Sequence, residues 1–144
     1  MADCKWSDWT SLEGVSNDDV PAPKRPGVYA IRYAPGGKPK AIRRAFGPDR
    51  HGILCYGMTG AKLRGRLRDF YGAALGKKAA HAEGIRFHKL KYAENGYPLR
   101  SVEVRWQVCA SEKAADKRER ELLNNYAERY GEAPPLNRQV PARR

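Results

Sequence analysis

The chain has 144 residues and a mass of 16.2 kDa, enough for one domain with a single modest core and too little for a second. Lysine and arginine number 28 against 16 aspartates and glutamates, a formal charge of +12, which points to a polyanionic partner or an acidic substrate. Nothing approaches the roughly 20 apolar residues of a membrane span, and MADCKWSDW lacks the pattern of a secretory leader, so a cytoplasmic location is expected. Cys4, Cys55 and Cys109 are odd in number and not spaced with His51, His81 or His88 as ligands, which supports neither a disulfide framework nor a zinc site.

In chain order, residues 1–20 hold five acids and one base, and the rest of the chain carries a net +16. Residues 1–25 therefore read as an acidic N-terminal extension, whose Trp6 and Trp9 are expected to pack on the body. VPAPKRPG is an extended entry into the fold, and GVYAIRY from Gly27 reads as the first strand, ended by the turn APGGKP. ILCYG reads as its hairpin partner after a long, basic connection. A helix is expected over about Lys62–Leu75 and a second near Gly76–Glu83, followed by a short strand in RFHKLKYA. SVEVRWQVC alternates Val102, Val104, Trp106 and Val108 with Glu103, Arg105 and Gln107, the pattern of a half-buried strand. A final helix starts at the cap Ser111 and runs to about Tyr130, before a proline-broken, basic tail over 138–144. The expected class is α+β, a small antiparallel sheet flanked by helices.

Two side chains stand apart on their helices. Leu63, Leu67, Phe70, Tyr71 and Ala74 form one apolar stripe. At about 100° per residue Arg64 and Arg68 point away from it, and Arg66 lies at its margin, about 40° from Phe70. In the last helix Ala115, Leu122, Leu123 and Tyr126 form the stripe; Glu119 falls near its centre and Glu121 well to the side. A carboxylate on a core-facing surface needs a cation, backbone donors or a metal ion as compensation.

Taken in order, P-GVYAIR, ILCYGMTG, LRGRLRDFY, a late helix glutamate and PPLN resemble the GIY-YIG nuclease family over residues 26–137, about three quarters of the chain. The resemblance implies a metal-dependent DNA endonuclease using Mg²⁺ or Mn²⁺ on double- or single-stranded DNA, with a homodimer as one means of cutting both strands. It carries the tyrosine of the first motif to Tyr29, the helix arginine to Arg66, the metal-binding glutamate to Glu119, the late asparagine to Asn137 and the motif glycines to Gly27 and Gly57. Two departures accompany it. If Gly57 sets the register, Cys55 stands in the second motif's tyrosine position; counting back ten residues from Arg66, the family's usual separation, selects Tyr56 and is the favoured assignment. Phe70 stands where relatives often carry tyrosine or histidine, and His81 is a candidate compensating base or phosphate contact. Phosphate contacts are expected from Lys38, Lys40, Arg43, Arg44, Arg64, Arg68, Lys77 and Lys78. The alternative is a catalytically decayed nucleic-acid-binding module on the same fold.

Overall fold

A computed structural model describes residues 5–78 and 80–141. Cys4, Asp3 of the acidic N-terminal segment and residues 142–144 of the basic tail lie outside the described residues. The fold is α+β. The elements are β1 (Thr10–Ser11), α1 (Leu12–Ser16), β2 (Gly27–Tyr33), β3 (Ile42–Arg44), β4 (Gly47–Asp49), β5 (Ile53–Thr59), α2 (Leu63–Ala74), α3 (Ala82–Lys89), β6 (Val102–Val108) and α4 (Glu112–Tyr130). Four strands form an antiparallel sheet in the order β1-β6-β2-β5, and β3 and β4 pair as a separate hairpin inside the long connection.

The central strand β2 is buried along nearly all its length because both sheet faces are covered. On one face Tyr29, Ile31, Val102 and Val104 meet Leu12 and Val15 of α1, the α2 stripe of Leu63, Leu67 and Phe70, and Phe87 of α3. On the other face Ala30 and Ile53 meet Tyr126 and Tyr130 of α4, and Val28 meets Ala115. Trp6 and Trp9 join that second layer, the packing expected of them. The rest of the acidic segment is no appendage: β1 adds an edge strand beside β6, and Leu12 and Val15 are wholly enclosed. Alternation in β6 sends the valines to the first face, but Arg105 and Gln107 are covered too, Arg105 by indoles and Gln107 by Arg118.

Two neighbouring expectations are corrected. The second helix is Ala82–Lys89, later than the 76–83 expected of it, and it takes up the first half of RFHKLKYA, whose second half is a turn and not a strand. The His81 ring accepts from the Gly84 amide at 3.4 Å as N-cap, which closes the first turn. Gly84 then lets α3 approach so closely that an added Cβ would meet the Phe70 carbonyl. Phe87, one turn on, inserts into the core and stacks on Tyr92. The final helix follows its expected bounds, with Ser111 Oγ capping the Ala114 amide and Gly131, at φ 83°, ending it. Among the described residues no helix is long and apolar enough to cross a membrane.

Candidate active site

Register decides which side chains share a face. In β2 and β5, Tyr29 pairs with Gly57, Ile31 with Cys55, and Ala30 with Tyr56. Side chains of paired residues lie on the same side, so Tyr29 and Cys55 face one layer and Tyr56 the other. The favoured assignment of Tyr56 beside Tyr29 is corrected: Tyr56 packs edge-on against Tyr126, ring centres 6.2 Å apart, on the α4 side. Gly57 has its own reason. The Tyr29 ring lies across it, and any Cβ there would collide with the phenol oxygen. Gly27 is equally constrained, since a Cβ would strike the Gln107 carbonyl of β6.

Tyr29 is almost fully enclosed, and its hydroxyl lies 2.5 Å from His81 Nε2. His81 Nδ1 accepts from the Gly84 amide, so in the neutral ring the proton is on Nε2 and is donated to the Tyr29 oxygen. Burial first, then the charges of Arg66 and Arg86, push His81 down to about 3, so the ring is neutral at ordinary pH. Burial likewise lifts the Tyr29 phenol well above its usual value, against the pull of Arg66. His81 is therefore no surface phosphate contact. It sits 5.1 Å from the Phe70 ring, centre to centre, and places a polar group beside the position where Phe70 has none.

Arg66 of α2 lies partly exposed at the margin of its stripe and donates to the Ala80 carbonyl at 2.8 Å, which ties α2 to the turn before α3. Glu119 of α4 is half-buried, and among the described residues it has no hydrogen-bond or ion-pair partner. Burial and the neighbouring Glu83 and Asp116 raise it to about 7, with Arg120 and Arg66 opposing. The charges of Arg66, Glu83 and Glu119 all act on Tyr29, so α2, α3, α4 and β2 converge on one locus.

Glu83, absent from the sequence reading, belongs here. It lines a cavity of about 310 Å³ with Glu119, Arg86, Leu123 and Asn137. Arg86 pairs with Glu83 at 3.2 Å and donates to the Leu136 carbonyl at 2.6 Å, anchoring α3 to the C-terminal segment. Burial raises the Glu83 carboxyl despite Arg86 and Arg66. Among the described residues no group of three or more His, Cys, Asp or Glu side chains gathers as a ligand cage. The donor set is thus one unpartnered carboxylate with a second close by, which suits a hard cation that keeps most of its water.

The remaining expected residues divide. The Asn137 amide accepts from the Tyr56 amide at 3.0 Å and donates to the Tyr56 carbonyl at 2.9 Å, while Leu136 donates to the Leu54 carbonyl, so this segment seals the β5 edge; the Asn137 side chain is thereby committed to the backbone. Arg64 and Arg68 do not point freely to solvent, because both are clamped by Asp18. Arg44 is held by the Ala133 carbonyl and Glu132. Lys40 lies 4.4 Å over the Tyr97 ring. Lys38, Arg43, Lys77 and Lys78 are exposed. Cys55 and Cys109 are buried thiols, and burial pushes Cys55 up, which makes it a core residue and a poor nucleophile. No family model, no curated protein and no solved structure matches the chain.

Proposed function

We propose that the protein is a phosphodiester hydrolase, and within that class a metal-dependent DNA endonuclease with a GIY-YIG-like site acting in the cytoplasm. The observation that carries this reading is the unpartnered, half-buried Glu119 carboxylate at the locus of Tyr29 and Arg66. A domain evolved only for stability would leave no such charge uncompensated.

Hydrolysis needs an oriented water, charge neutralisation on the phosphoryl oxygens and help for the leaving oxygen. Tyr29 is neutral, its oxygen already accepts from His81, and its own proton is therefore free to orient a water or a phosphoryl oxygen. His81 acts through Tyr29 as a positioning residue. Arg66, fixed on Ala80, offers a planar and permanently charged fork to the phosphate. Glu119, with Glu83 near it, would hold Mg²⁺ or Mn²⁺. When bound, the ion supplies charge neutralisation at the leaving oxygen and acidifies its water.

Supercoiled plasmid and single-stranded DNA, incubated with Mg²⁺, Mn²⁺ or EDTA, test the reading. Metal-dependent nicking that disappears in Glu119→Gln, with DNA binding kept, is expected. Cleavage undiminished in that variant sinks the assignment. One observation favours a second reading, a DNA-binding module without turnover: Cys55, not a tyrosine, is the second-motif residue that shares the Tyr29 face of the sheet. That reading predicts binding without nicking under every metal. Cutting both strands of a duplex would call for two copies of the chain, read by comparing linear with nicked product against protein concentration.

A further inference from the structure

A second cavity, of about 340 Å³, opens on the sheet face opposite Tyr29, between β5, β6, α4 and the N-terminal segment. Its walls are flat and cationic. Trp9, Tyr56 and Tyr130 contribute rings, and Arg32 and Arg105 contribute guanidinium planes. The Arg32 guanidinium carbon sits 4.1 Å from the centre of the Trp9 ring. That of Arg105 sits 4.7 Å from Trp9 and 4.4 Å from Trp6.

The two arginines differ in what balances them. Arg32 is paired with Glu103 at 2.7 Å. Arg105 has no ion pair among the described residues, and its Nε is buried without a hydrogen-bond partner. Asp49 at the floor forms no ion pair with Arg105. It is fully enclosed, and its carboxylate is occupied by the His51 amide at 2.8 Å, the Ile53 amide at 3.1 Å and the Tyr126 hydroxyl at 2.8 Å. The cavity therefore combines one uncompensated guanidinium with stacking surfaces for a planar group. Bases stack on guanidinium planes as well as on aromatic rings, and cavities of this kind bind both parts of a nucleotide. Its volume lies at the low end of the roughly 300–1,000 Å³ typical of small-ligand pockets, which admits one nucleotide and excludes a duplex.

We propose that this cavity binds a single nucleotide, free or as one unit of a single strand, with its base against the aromatic walls and its phosphate on Arg105. The proposal stands apart from the nuclease reading, since it uses none of Tyr29, Arg66 or Glu119 and needs no metal.

Tryptophan fluorescence is followed in EDTA while 5′-deoxyadenylate, deoxyadenosine, inorganic phosphate and a single-stranded tetradeoxyadenylate are added in turn. Saturable quenching by the nucleotide or the tetramer is expected, at least tenfold weaker for deoxyadenosine and for the nucleotide with Arg105→Gln. Tighter binding of the tetramer assigns the nucleotide to a strand; equal affinity assigns it to a free ligand. Phosphate alone binding as tightly as the nucleotide overturns the proposal, as does unchanged affinity in a folded Arg105→Gln. Because Arg105 packs between indoles, that variant is backed by photocrosslinking of the wild type with 5-iododeoxyuridylate. Adducts mapped to Trp9, Tyr56 or Tyr130 support the cavity, and adducts confined to other peptides reject it.

Discussion

At the scale of single residues, Glu119 and His81 both titrate abnormally because both are removed from water, yet they act on stability in opposite senses. Glu119, raised to about 7 by burial and by Glu83, binds a proton in the folded chain where the unfolded chain, near its ordinary 4.5, has lost it. Its favourable contribution is therefore present below about 4.5 and is lost as pH rises to about 7. His81, pushed down to about 3, contributes stability that is full above its ordinary 6.5 and is lost as pH falls towards 3. Glu119→Gln isolates the first effect, since it keeps the volume and removes the charge. The variant should match the wild type at pH 4 and exceed it by about 2 kcal/mol at pH 8, a figure discounted for partial exposure. Denaturant melts at the two pH values measure this, and a variant less stable at pH 8 would mean that the carboxylate has a partner. Millimolar Mg²⁺ should narrow the gap by stabilising only the wild type. Arg66→Ala should slow single-turnover cleavage by on the order of a hundredfold at saturating protein, the scale of losing one preorganised charge stabiliser. Losses of equal size for Arg64→Ala and Arg68→Ala in the same assay would reduce Arg66 to an ordinary phosphate contact. Arg66 and Glu119 were legible because the helical period ties each residue to a face. Tyr56 was misassigned because the count back from Arg66 runs through the turn at 60–62, where periodicity is lost; strand parity alone decides, and one step of register reverses the face.

At the scale of elements, α3 carries the part of the site that the sequence hid. Phe87, Leu90 and Tyr92 fit a strand's spacing about as well as a helix's, and the deciding contacts are tertiary: Gly84 against the Phe70 carbonyl, and the His81 ring wedged between Tyr29 and Phe70. With the helix expected near 76–83, His81 and Glu83 fall at its end; with it at 82–89, His81 caps it and Glu83 lies in its first turn, beside Glu119 in one cavity. The acidic segment was likewise legible in charge but not in place. Asp18 adopts a left-handed conformation, φ 65°, and reaches both Arg64 and Arg68 of α2. The hydrogen bond to Arg64 is the main cause that holds its carboxyl below the usual range. The clamp commits to a surface carboxylate two cations that would be free to meet phosphates under the proposed function. Asp18→Asn should therefore tighten DNA binding several-fold and steepen its salt dependence by up to about two phosphates, with little change in stability because the pair is exposed. Fluorescence anisotropy at several salt concentrations measures it; unchanged affinity would mean that α2 does not face DNA.

At the scale of the whole molecule, the exposed cations expected to contact phosphate, Lys38, Arg43, Lys77 and Lys78, fall in two places. The β3–β4 hairpin with Arg43 docks on the C-terminal end of α4, where the Phe46 amide donates to the Tyr130 carbonyl, and Lys38 lies in the turn that follows Tyr33 of β2. Tyr29 lies four residues back along β2, roughly 13 Å away at strand rise. Lys77 and Lys78 instead follow α2, next to Ala80, the residue that anchors Arg66. Many other arginines are paired with carboxylates, among them Arg32, Arg44, Arg86 and Arg120, so the cations free to meet a polyanion are fewer than the 28 in the sequence. If four to six exposed cations meet phosphates, affinity should fall by about 10²–10³ between 50 and 200 mM salt. Lys77→Gln with Lys78→Gln should lower the slope of log affinity against log salt by about two and weaken cleavage and binding together, because these lysines border the locus of Arg66 and Glu119. The pair Lys38→Gln and Arg43→Gln should lower the slope less on a short duplex that covers only the Tyr29 end. Equal effects of the two pairs on short DNA would place the duplex along the whole of β2, and a slope that neither pair changes would remove the α2–α3 turn from the DNA face.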